Sequence, residues 1–275
     1  AMVTTPLLIS SPLAAGLSRR AMQDTFTALV FVLVLYLFDR CWRRASWANY
    51  VAFGAVFAVA LLTKETALFL LPLMVCAAVY YMRAMRLAFR WPILLSLAVA
   101  AMVYILVETY LAGGISRFID TYRTYAALQH QLTYPLHYVD GPWFIYLLAF
   151  LAVAPLAFVA AIVGLTVPPD DEARHGRILA CLYLLTGILV FAQLPIVNVR
   201  LVLFLDVFLR IAAALAIIYF ARVVTTKWRS GVLVALIGVL VLADAAQFYR
   251  VFVRGNVYNP NTFLLLRAEG FYDVE

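Results

Sequence analysis

Charge is scarce in this sequence: Asp, Glu, Lys and Arg make up 13% of its 275 residues, against about 25% in soluble domains. Cysteine and histidine are rarer still, with three of each. Cys41, Cys76 and Cys181 are odd in number, form no CxxC and sit in or beside apolar runs, which excludes a disulfide framework and a cysteine metal cluster. There is no P-loop, HExxH, dinucleotide fingerprint or nucleophile elbow. The sequence pI is near 9.4, yet no Lys/Arg run has the form of a nucleic-acid patch, so no nucleic-acid partner is expected. Asn-x-Ser/Thr sequons are absent too, which is compatible with a bacterial inner membrane.

What is present is apolar. Hydrophobic residues are 66% of the chain and mean hydropathy is +0.97, more than a water-soluble globule of this size can bury. An all-α, polytopic transmembrane bundle is expected, because only helices and closed barrels satisfy their backbone in lipid. Charge-poor stretches of spanning length fall near 24–39, 47–63, 66–82, 91–111, 142–166, 178–195, 203–221 and 232–249. This gives about eight spans in a single bundle over 1–275.

The connecting loops set the orientation. One set holds Arg40, Arg43, Arg44, Arg83, Arg86, Arg90, Arg174, Arg177, Arg222, Lys227 and Arg229, while the opposite set holds Lys64, Arg117, Arg123 and Arg200. The positive-inside rule puts the richer set in the cytoplasm and both ends outside. Residues 1–18 are apolar but short, carry Pro6 and Pro12, and are followed by Arg19-Arg20 instead of preceded by basic residues, so they do not read as a signal peptide. The expectation is a chain that starts partway through a larger protein. In that reading 1–23 is the remnant of an upstream helix plus outer loop, and 250–275 is an external tail. The connection 112–141 is the longest on the outer side. Its Ile115, Phe118, Ile119, Tyr122 and Ala126 fall at helical spacing, predicting an amphipathic helix in the membrane interface. An aromatic belt that anchors a loop would give a similar pattern, though loops of this length are more often functional.

Polar groups inside apolar spans are costly and need a reason. Asp24 heads a span, where an acid favours the helix dipole, but that does not explain the adjacent Arg19 and Arg20. Lys64-Glu65 is either a tight outer turn or a point charge for a lipid phosphate. Asp206 and Arg210 are four apart and face the same way, as a neutralising pair would. Arg200, at the outer end, is a phosphate candidate because guanidinium grips phosphate oxygens bidentately. Glu108 and Asp244 lie near outer helix ends; His130, His137 and Asp140 lie on the external loop. Two histidines are too few for a metal, and the carboxylates are too scattered for a hard-cation site. The gathering of polar residues on one face points to an outward-facing cavity suited to a lipid-linked, phosphate-bearing substrate.

In order along the chain, Pro12-x5-Ser18-Arg19-x2-Met22-Gln23-Asp24, Leu62-Thr63-Lys64-Glu65 with Pro72, Gly141-Pro142-Trp143-Phe144-x-Tyr146, and Asn198-Val199-Arg200 with Asp206 and Arg210 make up a pattern. It resembles GT-C membrane glycosyltransferases, in the branch of the protein O-mannosyltransferases and the lipid A aminoarabinose transferase. The tail Asn256-Val257-Tyr258-Asn259-Pro260-x-Thr262 resembles the end of bacterial members. The resemblance implies a polyprenyl-phosphate-linked sugar as donor, transfer to a lipid, glycan or protein acceptor on the extracytoplasmic side, and membrane lipids as neighbours. It also implies an acid that activates the acceptor and basic residues that hold the departing phosphate. By position Asp24 matches a secondary acid of the family; the principal catalytic acid would lie upstream of residue 1. Arg19, Arg20, Lys64, Glu65 and Arg200 are carried over as substrate-binding residues, and Tyr122, His130, His137 and Asp140 as external-loop candidates. Use of a divalent metal is left open. Two other readings remain at this stage: a transporter or flippase-like protein for lipid-linked glycans, and a non-catalytic membrane scaffold of the same fold.

Overall fold

The structure is a computed structural model that describes residues 3–18, 23–129, 144–168, 171–193 and 202–254. Their regular structure is all helical, with no strand among the described residues. Two short helices, α1 (Thr4–Ile9) and α2 (Pro12–Ser18), precede α3 (Gln23–Arg43). Next come α4 (Trp47–Thr63), a 3-10 turn (Glu65–Phe69), α5 (Leu70–Arg83), α6 (Trp91–Ala112) and α7 (Ile115–Gln129). Further along the chain follow α8 (Ile145–Val153), α9 (Pro155–Thr166), α10 (Asp171–Phe191), α11 (Leu203–Val223) and α12 (Thr226–Phe248), which runs into a π-helical end (Tyr249–Arg254). Six of the described helices are long and apolar enough to cross a membrane, and the 17-residue α4 is shorter. The chain is an all-α polytopic membrane bundle.

One expected span is not a single helix. The stretch 142–166 was read as continuous, but α8 and α9 meet at a 117° bend. The cause is local: Pro155 has no N–H to extend α8 and begins α9 instead, and Ala154 sits between them at φ −140°, ψ 61°. At 1.5 Å per residue the nine residues of α8 reach only about 13 Å. This element is therefore a broken span or a re-entrant segment.

The chain divides into two compact units, residues 1–25 with 141–275, and residues 26–140. In the first unit α11 is the central helix, buried along most of its length from Leu203 to Ala221. Its small side chains Ala212, Ala213, Ala214 and Ala216 let α9 lie close against it, the usual way helices pack where the solvent is itself apolar. The tightest point is Gly164, where an added Cβ would sit 1.8 Å from the Ala212 carbonyl oxygen. Tyr146 of α8 donates to the Phe191 carbonyl at 3.3 Å and fixes the start of the bent element.

The second unit is built on aromatic packing. Trp42 stacks on Tyr81 with centroids 5.2 Å apart, and Phe38 contacts Trp42, Phe53 and Tyr81. The α4–α6 seam closes at Gly54, and Ser96 donates to the Tyr50 and Pro92 carbonyls at 2.9 and 3.0 Å. Along α6, Leu94, Val99, Met102 and Leu106 are exposed. Such a face would be unfavourable in water by roughly 25 cal/mol per Å2 and costs nothing against lipid.

Candidate functional site

Lys64 and Glu65 form an elbow. Lys64 ends α4 and precedes the 3-10 turn in an extended conformation, φ −164°, ψ 126°. Its N–H still donates to Ala60 at 3.0 Å, and its carbonyl accepts from Ala67 at 2.9 Å. The extended residue breaks the helix, so the half-buried Lys64 and exposed Glu65 leave the apolar seam at one end of the second unit.

At the end of α6, Gly113 and Gly114 take φ of 78° and 131°, conformations open to glycine, and the chain reverses into α7. The expected helix over the first half of 112–141 is thus present, turned back alongside α6. The phenol of Tyr122 hydrogen-bonds that of Tyr104, and Phe118 packs on the Tyr122 ring at 4.9 Å. The Tyr104 hydroxyl lies within electrostatic reach of both Glu65 and Glu108. Tyr122, singled out in the sequence, is thereby bonded to a residue that was not, Tyr104. Its signal was a tyrosine in an apolar span one helical turn before Glu108. The two phenols offer a donor and acceptor at an exposed edge, suited to a polyhydroxyl ligand. Among the described residues no cluster of three or more His, Cys, Asp or Glu is placed to hold a metal ion.

A second constellation lies wholly inside the first unit. Arg210 is fully buried, and its guanidinium bonds Asp206 (Nε to Oδ1, 3.4 Å) and, through Nη1, Asp244 on α12. Ser11 donates to Asp206 Oδ2 at 2.6 Å, and Ser10 donates to Asp244 Oδ2 at 3.1 Å. Ser11 also caps α2, accepting from the Ala14 N–H at 3.1 Å. The expected Asp206–Arg210 pair is therefore present within a network of five residues. The sequence placed Asp244 merely near a helix end; spacing along one chain does not disclose that α1, α11 and α12 converge. The network ties the break between α1 and α2 to the central helix.

Asp24 falls in the first turn of α3. Arg19, Arg20, His130, His137, Asp140, Arg200 and the 256–262 tail motif lie outside the described residues.

The helix content and apolar spans define a polytopic membrane protein. Residues 1–108 match the family model of dolichyl-phosphate-mannose-protein mannosyltransferases. The match covers the first 108 of the 275 residues, and Ser10, Ser11, Asp24, Lys64, Glu65, Tyr104 and Glu108 fall within it. No curated protein matches the chain, and neither does any solved structure.

Proposed function

We propose that this protein transfers a sugar from a polyprenyl-phosphate donor to a hydroxyl-bearing lipid, glycan or protein on the extracytoplasmic side of a bacterial inner membrane. The family match over residues 1–108 carries this reading. The arginine-poor end of the second unit holds the Lys64–Glu65 elbow, and the opposite end holds Arg40, Arg43, Arg44, Arg83 and Arg86, as the positive-inside rule requires of an outward-facing site.

The chemistry asks for few groups. The acceptor oxygen attacks the anomeric carbon, the bond to the phosphate oxygen breaks, and the acceptor proton passes to a carboxylate. The polyprenyl phosphate leaves with the bonding pair. In this assignment Lys64 holds the phosphate and stabilises its growing charge, and the resemblance assigns Arg19, Arg20 and Arg200 to substrate binding as well. Asp24 is a secondary acid at the substrate, and Glu65 and Tyr122 contact sugar or acceptor hydroxyls. His130, His137 and Asp140 are further candidates on the external connection 112–141. The purified chain in detergent should bind a polyprenyl-phosphate sugar saturably, and Lys64→Ala and Arg200→Ala should each weaken that binding about tenfold, the size of one charge-assisted hydrogen bond. Unchanged affinity in both variants would refute the phosphate assignment.

The bent α8–α9 element favours one second reading, a flippase-like transporter of lipid-linked glycans, since broken helices line transport sites. A flux assay in proteoliposomes separates the two: flux without sugar transfer supports transport.

A further inference from the structure

Away from the Lys64–Glu65 elbow, the last two turns of α3 enclose a small polar pocket of about 140 Å3, lined by Tyr36, Asp39, Arg40, Arg43 and Arg44. Three guanidinium groups against one carboxylate give this lining a formal charge of +2. The carboxylate is already engaged: Asp39 accepts from the Tyr81 hydroxyl at 2.6 Å and pairs with Arg43 at 3.5 Å. Arg40 lies over the Tyr36 ring, 5.9 Å from its centroid, and its Nε is buried with no hydrogen-bond partner among the described residues. Arg44 is exposed, and no ion pair among the described residues includes Arg40 or Arg44.

Basic residues at a helix C-terminus complement its dipole, and those on the cytoplasmic side set orientation. Neither effect accounts for a guanidinium held on an aromatic ring with a buried donor left unpaired. The surroundings fix the depth of the pocket. Trp47 and Trp91 meet edge to face at 6.3 Å and are 63% and 60% exposed, and the exposed Phe89 packs on Trp42 at 6.4 Å. Exposed indoles gathered at helix ends sit at the level of lipid headgroups. The volume equals that of four or five waters at about 30 Å3 each, room for one phosphate group but not for a whole lipid.

We propose that this pocket is a phosphate site at headgroup level, distinct from the sugar-transfer site, that takes the phosphodiester of an anionic membrane phospholipid or, by the same chemistry, a free phosphate ion. Arg40 and Arg44 supply the uncommitted donors, and Arg43 adds charge while holding Asp39. The acyl chains would lie along the exposed apolar surface of the same unit, outside the pocket.

The test uses the full chain in neutral detergent. Retention of phosphatidylglycerol against phosphatidylcholine is read by native mass spectrometry, and displacement by inorganic phosphate is read from tryptophan fluorescence. Wild type should prefer phosphatidylglycerol, and Arg40→Gln with Arg44→Gln should reduce that preference about tenfold, the value of one or two charge-assisted hydrogen bonds. Asp39→Asn keeps an acceptor for Tyr81 while removing the competing charge, so it should raise affinity severalfold. This variant keeps the proposal testable if the double variant fails to fold. Arg229→Gln, on α12, should change nothing. Displacement of the lipid by phosphate supports a site open to the free ion, and resistance to it supports a headgroup site. Equal retention of both lipids by wild type, no loss in the double variant with no gain in Asp39→Asn, or an equal loss in Arg229→Gln would overturn the proposal.

Discussion

Arg210 holds Asp206 and Asp244 together where neither carboxylate has access to water. Removing the guanidinium leaves two buried acids facing each other. Arg210→Ala should destabilise the fold by about 3–5 kcal/mol, the usual cost of stranding a buried charge. Thermal unfolding in detergent measures this. Replacing all three charges together (Asp206→Asn, Arg210→Met, Asp244→Asn) should recover much of the loss, because no unpaired charge then remains. Wild-type unfolding in Arg210→Ala would mean that the network contributes no stability. Tyr104 makes a different prediction. Tyr104→Phe removes a hydroxyl at an exposed edge, so it should leave stability within about 0.5 kcal/mol. If the elbow and α7 bind the sugar, it should also weaken donor or acceptor binding.

Among the elements, the α9–α11 seam has the least tolerance. Gly164→Ala puts a methyl against the Ala212 carbonyl and should cost about 1–3 kcal/mol as the helices are forced apart. Gly238→Ala, on α12, meets nothing within 4 Å, and should be neutral or stabilising by up to about 1 kcal/mol through helix propensity. Equal unfolding temperatures for the two variants would contradict the seam described here. The spans were legible in the sequence because hydropathy over some 20 residues is a local property, as Trp91–Ala112 and Leu203–Val223 show. Pro155 marked the break in 142–166, but a proline inside an apolar run signals a kink without giving its angle. The elbow was legible as a charged interruption. Tyr104 was not picked out, because its bond to Tyr122 depends on how α6 and α7 turn at Gly113-Gly114. Ser10 and Ser11 were the least visible members of the buried network, more than 190 residues from their carboxylate partners.

For the molecule as a whole, scarcity of charge organises both orientation and chemistry. The orientation is testable with single cysteines introduced after Cys41, Cys76 and Cys181 are replaced. A cysteine at Arg86 or Arg229 should react with an impermeant maleimide only once the cytoplasmic face is opened, and one at Arg117 should react in intact cells. Labelling with the opposite pattern would invert the membrane and move the Lys64–Glu65 elbow to the cytoplasm. The proposed account assigns sugar transfer to the outer surface and a separate phosphate-binding end to the inner one. The most direct test of that account is binding of a polyprenyl-phosphate sugar to the purified chain, compared between wild type and Lys64→Ala. The account predicts saturable binding weakened about tenfold by the substitution with no change in unfolding temperature. Absence of binding by folded wild type, or equal affinity in the variant, would contradict it.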